Sequence, residues 1–310
     1  MDKQILLLLG AVILIGLLIV WNPFRTLLEK EELSSSNDGI GGVVVTTPPK
    51  PSLPTFPENA TTTPSDPEIA EPVLDTEVLP NVESSLLQYL EVTDGCGAYF
   101  EGDCLNVRQR PSTSSPSVLK LRTGMVLRIG ETTEAEGRMW HKIIFDEWVR
   151  YPDRVSAEWY VAGDFVRTFF AEGERELSSS TPFASSTKNI LVDRSEQKLY
   201  AYENGELFME HTISTGLDLT PTPRGSFSIF KKTPSRYMQG PLPGISEQYY
   251  DLPGVPWNLY FTQEGGAIHG AYWHDSFGKQ WSHGCVNLPI GVAEKLYVWA
   301  DLGTPVVVRD

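Results

Sequence analysis

The feature that most constrains the fold is a succession of short, strand-like runs separated by turn signals. Val126 to Ile129 and Trp140 to Phe145 carry β-branched and aromatic side chains at the density typical of strands. The pairs Thr123-Gly124 and Glu136-Gly137 separate runs of this kind. Several short strands joined by tight turns predict a small β-barrel over residues 86–170.

The C-terminal part of the chain continues this β-rich pattern and adds a helix. Asn204-Gly205 is a strong type I′ turn signal and predicts a hairpin. Val292, Leu296 and Trp299 recur at helical spacing and predict one amphipathic helix. The final residues, TPVVVRD, predict a terminal strand. The sequence therefore predicts a mostly β chain, with a second β-rich domain and one main helix at 188–310.

The N-terminal part of the chain differs from this globular pattern. Ile5 to Val20 contains no charged residue, and a helix continued to Trp21 would be about 25 Å long, close to the thickness of a hydrocarbon core. No small-residue cleavage motif follows, so residues 1–30 are predicted to be an uncleaved transmembrane signal anchor, with a cleaved signal peptide as the alternative. Residues 31–85 are rich in Ser, Thr and Pro and predict a disordered linker. A shorter linker is predicted at 171–187.

Charge and cysteine content narrow the range of functions. The net charge of −15 leaves no basic surface to displace counterions from a nucleic acid, so no nucleic-acid partner is expected. Cys96 and Cys104 lie close together, whereas Cys285 is far away. This division predicts one local disulfide and one free thiol, with two unlinked thiols as the alternative. A disulfide would persist in an oxidising compartment.

The segment whose residue types are best suited to catalysis is GGAIHGAYWHDSFGKQWSHGCVNLP. A thiol must be deprotonated to attack, and a free thiol titrates about 1.5 units above neutrality. It therefore needs a nearby imidazole to take the proton and a third group to orient that imidazole. Backbone N–H groups must also stabilise the developing oxyanion. His269 supplies a candidate base, Cys285 supplies the thiol, and adjacent glycines allow the backbone to approach a substrate.

The whole pattern resembles the L,D-transpeptidase catalytic domain, also called the YkuD domain. Its signature is a His-Gly followed further along by Ser-His-Gly-Cys-x-Asn or Arg, which corresponds here to His269-Gly270 and to Ser282 through Asn287. Upstream, Ser214 to Gly216 and Thr222 to Phe227 fit the S-T-G and T-P-x-G-x-F segments of the family. The resemblance extends from about residue 189 to 309.

This resemblance implies roles for individual residues. Cys285 would be the nucleophile and His269 the general base, with the carbonyl of Gly270 orienting the imidazole. The backbone N–H groups of His283, Gly284 and Cys285 would form the oxyanion hole. Ser282 is expected to shape the loop as well as border the substrate. Substrate contacts are expected from Tyr260, Trp273, Ser282 and Asn287.

Two other interpretations of the segment remain open. His269, His274, His283 and Cys285 are all residue types that bind zinc, but their spacing matches none of the usual zinc patterns. We therefore expect neither a metal nor an organic cofactor. The second alternative is an inert buried cysteine among hydrogen-bonded histidines.

Residues 86–170 resemble a bacterial SH3 domain. The segment DEWVRYPDRVSAE precedes the last strand-like run, where that family usually has a short turn. The resemblance implies a targeting module for cell-wall glycopeptide, and a spacer without a ligand is the alternative. The motifs that carry it are Leu105 to Arg108, Arg110 to Ser112, Thr123 to Val126, Trp140 to Ile143 and Trp159 to Val161.

Together these patterns predict a single-pass membrane protein whose C-terminal domains lie outside the cytoplasm, in the periplasm or cell wall. The resemblance implies an L,D-transpeptidase that forms 3→3 cross-links between peptidoglycan stem peptides through a Cys285 thioester. Its partners would be the donor and acceptor stems, with the wall and the membrane as further contacts. An L,D-carboxypeptidase that hydrolyses the same thioester and a catalytically inactive wall-binding adaptor are the alternatives.

Overall fold

The computed structural model describes residues 86–178, 187–244 and 246–310. The predicted signal anchor, 1–30, and the predicted first linker, 31–85, lie outside these residues. Within the described ranges, no helix combines the length and apolar character needed to cross a membrane.

The first part of the described chain forms one antiparallel sheet, which we call the first sheet. Its strand order is β3-β2-β6-β5-β4-β1-β7, and the strands are β1 (Leu87–Val92), β2 (Leu105–Arg108), β3 (Ser117–Leu121), β4 (Val126–Ala135), β5 (Arg138–Ile143), β6 (Trp159–Ala162) and β7 (Val166–Ala171).

The remaining described residues form two further sheets and a helix, α1 (Ile290–Trp299). One sheet has the order β11-β10-β9-β17-β12, and the other has the order β16-β15-β14-β13-β8. Strand β8 belongs to the predicted second linker and pairs with β13. The strands are β8 (Arg175–Glu176), β9 (Lys188–Asp193), β10 (Lys198–Glu203), β11 (Glu206–Thr212), β12 (Gly225–Ser228), β13 (Lys231–Gln239), β14 (Asp251–Tyr260), β15 (Ala267–Gly270), β16 (Val286–Leu288) and β17 (Pro305–Arg309).

Helix α1 packs its apolar face, including Leu296 and Tyr297, into a core that contains residues of both sheets. Its C-terminal end is capped by a buried lysine. Lys232 Nζ donates to the carbonyl of Tyr297 at 2.8 Å and also to that of Ala300. A cation at this end of a helix satisfies carbonyls that have no partner within the helix. Burial lowers the pKa of Lys232 to about 8.

The first sheet shares its hydrophobic core with the C-terminal sheets. Tyr89 and Val126 belong to the same buried cluster as Trp257 and Leu259. The Phe169 ring packs against that cluster, with its centroid 5.5 Å from that of Trp257. The two parts of the described chain are therefore held together by buried apolar surface.

One glycine permits this close approach. Gly254 on β14 has a φ of +64°, and a Cβ built there would lie 2.7 Å from the carbonyl oxygen of Val126 on β4. Both the left-handed conformation and the short distance require glycine at this position.

The predicted mostly β fold with one main helix is confirmed. The predicted hairpin turn is present, since Asn204 and Gly205 have φ values of 53° and 80°, as a type I′ turn requires. The segment GSFSIFKK alternates in polarity as a single strand would, but it divides into β12 and β13. Ile229 N–H donates to Thr304 O and Phe230 N–H to Tyr260 O, because the chain passes here from one sheet to the other. That the first sheet is an SH3-like barrel stays a prediction.

Candidate active site

The signature segment is built on two parallel neighbouring strands, β15 and β16. Ile268 lies opposite Val286, and His269 lies opposite Asn287. Ile268 and Val286 are fully buried in the core. Because side chains alternate along a strand, His269 and Asn287 project from the other face of the sheet. Cys285 directly precedes β16, so the pairing brings the two halves of the signature to one end of this sheet.

Cys285 lines a cleft of about 810 Å³. The backbone N–H of Ala267 on β15 donates to its sulfur, and the thiol lies 3.9 Å from the carbonyl oxygen of Gly265. Burial raises the pKa of the Cys285 thiol, and the hydrogen bond from Ala267 opposes this effect. The resting sulfur is therefore a protonated thiol at neutral pH.

The imidazole of His269 is buried and held in one orientation. Its Nδ1 lies 3.0 Å from the carbonyl oxygen of Gly270, so Nδ1 carries the proton and donates it to that carbonyl. Nε2 is left with a free lone pair. Burial lowers the pKa of His269 to about 4. A neutral imidazole with an unprotonated Nε2 is the form that can accept a proton from a thiol.

The loop that carries the thiol is fixed by Ser282. Its hydroxyl donates to the Cys285 carbonyl at 2.5 Å and accepts the Gly284 N–H at 3.1 Å. The φ of Gly284 is +116°, a conformation that favours glycine. The backbone N–H groups of His283 and Cys285 donate to no residue in the described part of the chain. These two amides, rather than that of Gly284, are free to face an oxyanion.

The upstream motifs support this loop from behind. Ser214 and Asn287 exchange two backbone hydrogen bonds, of 3.0 and 2.8 Å. Gly216 forms a bridge with Ser282, and its N–H donates to the hydroxyl of Thr222 at 2.9 Å. The S-T-G and T-P segments singled out in the sequence therefore position the cysteine loop instead of contributing reactive groups.

A buried pair behind the site was not predicted from the sequence. His274 Nδ1 accepts the N–H of Ser276 at 3.1 Å, so the proton of this ring is on Nε2. Nε2 lies 2.8 Å from Nδ2 of Asn287. Two donors cannot bond each other, so we assign the Asn287 amide with its oxygen toward Nε2. His274 thus has no free lone pair for a metal. Burial lowers its pKa to about 4.

The residues expected to contact substrate divide into two groups. Tyr260 lines the cleft with Cys285, and its pKa is raised by burial and by the nearby Cys285 sulfur. Asn287 is buried on His274 and does not border the cleft. The Trp273 ring packs 5.7 Å from that of His269 and is also absent from the cleft lining.

The cleft lining also contains side chains for which the sequence predicted no contact. The ring of His283 is stacked 5.4 Å from Tyr250, and its Nε2 lies 2.8 Å from the Gln248 side chain. Trp148 and Arg150, from the segment between β5 and β6, also line the cleft. The unusual length of the segment DEWVRYPDRVSAE was the sequence signal for this part of the cleft. The sequence does not show, however, that the segment packs beside Cys285.

The cysteines are distributed as the sequence suggested. Cys96 and Cys104 form a disulfide, and Cys285 is free. A shielded thiol, an imidazole fixed by a carbonyl and two unpaired amides are together the components of a cysteine-dependent acyl-transfer site. They lie on a β-rich domain with one helix.

Comparison with known proteins identifies this domain. Residues 187–308 match the family model of the YkuD L,D-transpeptidase catalytic domain. The predicted identification of that domain is therefore confirmed. A putative L,D-transpeptidase YkuD of Bacillus licheniformis is 29% identical over 102 residues, which cover 32% of this chain and 52% of the relative. The match thus spans about half the length of that curated relative.

Solved structures with similar coordinates include two L,D-transpeptidases. A crystal structure of a cysteine-to-serine mutant of Enterococcus faecium L,D-transpeptidase is 27% identical, covers 46% of this chain and 55% of that chain, and has a TM-score of 0.37. An L,D-transpeptidase from Mycobacterium smegmatis is 20% identical, covers 59% and 98% of the two chains, and has a TM-score of 0.38.

Proposed function

We propose that this protein is a cysteine-dependent peptidoglycan L,D-transpeptidase. The observation that carries the proposal is the arrangement of Cys285 and His269 within the matched domain. The thiol lines an open cleft, and the buried imidazole on the neighbouring strand donates Nδ1–H to Gly270, which leaves Nε2 as a base.

In the proposed reaction, Cys285 attacks the carbonyl at the L-centre of the diamino acid in a donor tetrapeptide. His269 Nε2 takes the thiol proton as the carbon–sulfur bond forms. The oxyanion is stabilised by the amides of His283 and Cys285. The carbon–nitrogen bond to D-Ala then breaks, and the imidazolium returns its proton to the leaving amine. A thioester and free D-Ala are the products.

The second half of the reaction reverses these steps with a new nucleophile. The side-chain amine of an acceptor stem attacks the thioester, and His269 accepts the amine proton. The sulfur leaves and regains a proton from the imidazolium. The product is a 3→3 cross-link and the restored thiol. The protein supplies positioning, proton transfer and two amide dipoles.

The direct test is incubation of the purified protein with a disaccharide tetrapeptide, followed by mass spectrometry. We expect D-Ala release together with a cross-linked dimer, and neither product from Cys285→Ala. Tripeptide without any dimer would instead identify a carboxypeptidase. If wild type and Cys285→Ala both fail to form a carbapenem adduct while both bind sacculi, the protein is an adaptor.

We further propose that the domains lie outside the cytoplasm, anchored by residues 1–30, and that the first sheet contacts the cell wall. The Cys96–Cys104 disulfide supports the location, since such bonds persist in oxidising compartments. Protease added to intact spheroplasts should remove the described domains. Full protection from protease, with degradation only after lysis, would contradict this location.

A further inference from the structure

The segment between β5 and β6 leaves the first sheet and docks on the C-terminal sheets. We call residues 146–158 the docked loop. Tyr151 N–H donates to Gln239 Oε1 at 2.8 Å, and the Tyr151 hydroxyl donates to the carbonyl of Pro241 at 2.8 Å. These contacts attach the middle of the loop to β13 and to the chain that follows it.

Two ion pairs hold the loop on either side of that point. Arg154 lies 3.3 Å from Asp251 on β14. Glu147 lies 3.2 Å from Arg236 on β13 and accepts the backbone N–H of Tyr237 at 2.9 Å. The residues between these two attachments, 148–150, are therefore held at a defined position beside the cleft.

Trp148 and Arg150 border the cleft that contains Cys285. The Trp148 side chain is 64% exposed, and the Arg150 guanidinium lies 5.0 Å from its ring centroid. Tyr250 interacts electrostatically with both Arg150 and Cys285. Burial and the Cys285 sulfur raise its pKa to about 12, whereas Arg150 acts in the opposite direction. Arg150 and the thiol thus both lie within electrostatic range of one tyrosine.

Arg150 differs from the other cations of the cleft. Lys231 lies 3.7 Å from Glu174, and Arg236 is paired with both Glu147 and Glu174. Arg150 forms no ion pair with any residue of the described ranges. Its charge is therefore available to a ligand.

Among the cations of the cleft lining, Arg150 is the one best suited to a carboxylate, because Lys231 and Arg236 already face glutamates. Glu176 and Glu264 also line the cleft and repel anions near them. Asn287 is neutral and buried, so it offers no charge to a substrate. A guanidinium binds a carboxylate through two parallel hydrogen bonds, and stacking on Trp148 restricts its motion.

We propose that Arg150 binds a carboxylate of the stem peptide, so that the docked loop of the first sheet supplies a specificity determinant to the catalytic cleft. This inference rests on the proposed function for the identity of the ligand. A stem peptide offers carboxylates at its C-terminal D-Ala and on its side chains, and either one satisfies the chemistry of the site.

The test is calorimetric binding of a free tetrapeptide to the full chain carrying Cys285→Ala, which prevents turnover. Adding Arg150→Ala should weaken binding about tenfold, and Arg150→Lys should recover part of that loss. Arg110→Ala is the matched control, because Arg110 is an exposed arginine between β2 and β3 that does not line the cleft. Unchanged affinity in Arg150→Ala, or an equal loss in Arg110→Ala, would overturn the inference.

Two modified peptides distinguish the possible carboxylates. One is amidated at its C-terminus and the other at its side-chain carboxylates. The peptide whose affinity no longer responds to Arg150→Ala identifies the carboxylate that is bound. If both peptides respond as strongly as the unmodified one, Arg150 does not recognise a carboxylate and the inference fails.

Release of D-Ala by the unmutated chain is measured separately. D-Ala release with an unaffected Arg150→Ala affinity would refute the carboxylate site and leave the transpeptidase proposal intact. Arg150-dependent binding without any D-Ala release or cross-linking would refute the proposed function and leave the carboxylate site standing.

Discussion

At the scale of single residues, the surroundings of Cys285 and His269 favour the uncharged form of both side chains. Burial raises the pKa of Cys285 and lowers that of His269 to about 4. Both shifts disfavour a thiolate–imidazolium pair at neutral pH, since a charged group loses solvation when it is buried. Proton transfer to His269 should therefore accompany attack on the substrate and not precede it.

The resulting prediction concerns the pH dependence of thiol alkylation. The rate at which iodoacetamide modifies Cys285 should rise only at pH values above those at which a free thiol ionises, about pH 8.5, with no increase below pH 7. Mass spectrometry measures the rate, and the disulfide-bonded Cys96 and Cys104 should remain unmodified. Rapid alkylation at pH 6 that is lost in His269→Gln would demonstrate a preformed ion pair and contradict this account.

The sequence motif predicted which single residues the fold brings together, whereas their catalytic roles stay predictions. His269, Gly270 and Cys285 are close in the fold because their strands are neighbours, and the motif alone indicated their chemistry. The contact between His274 and Asn287 could not be predicted. It depends on the path of the loop after β15, which a linear spacing does not specify.

At the scale of secondary-structure elements, β14 shows how tertiary contacts override local signals. It contains Pro253 and Pro256, and proline within a run argues against a strand. No strand over residues 251–260 is predicted from the sequence. The strand forms because a register shift in β13, between Arg236 and Met238, accommodates the irregular part of the pairing.

A substitution at Gly254 tests whether the close approach of β14 to β4 stabilises the fold. Gly254→Ala should lower the free energy of unfolding by about 1–3 kcal/mol, because it combines a strained positive φ with a clash against the Val126 carbonyl. Urea denaturation measures the change. Gly303→Ala is the control, since Gly303 has a φ of +89° but nothing within 4 Å of its added Cβ. Equal effects of the two substitutions would show that the approach to β4 contributes nothing.

At the scale of the whole described molecule, the shared core predicts cooperative unfolding of the first sheet with the C-terminal sheets. Tyr89 and Phe169 of the first sheet pack into the same cluster as Trp257. Separation of the two parts would expose this apolar surface to water. The sequence predicts two domains joined by a linker at 171–187, and the packed structure adds the core that they share.

Phe169→Ala should therefore destabilise the protein by about 2–3 kcal/mol, somewhat less than for a fully buried phenylalanine. Calorimetry should show one transition shifted to lower temperature. Phe170→Ala is the matched control, since the adjacent Phe170 on β7 is 65% exposed, and it should change stability by less than about 0.5 kcal/mol. Loss of only one of two separate transitions in Phe169→Ala would contradict a shared core.

Acid should destabilise the molecule through its buried histidines. The pKa values of His269 and His274 are both lowered to about 4, so the folded state binds fewer protons than the unfolded state between about pH 6.5 and 4. This contribution is fully present above pH 6.5 and is lost as the pH falls through 4. Glu147 acts in the opposite sense, since its pKa is raised to about 7 and its contribution is lost as the pH rises.

Urea midpoints measured at pH 7, 5.5 and 4.5 should fall with pH, and the slope should be smaller in His269→Gln. An identical slope in the wild type and in His269→Gln would show that His269 is not held neutral by burial.

The docked loop also has a practical consequence for inhibitor discovery. Compounds screened against an excised fragment that begins after β7 would meet a cleft without Trp148 and Arg150 on its rim. Such a screen would favour compounds that contact a surface covered by the docked loop in the intact protein. It would also miss acidic compounds that need Arg150 for binding. Screens should therefore use a protein that retains residues 86–310.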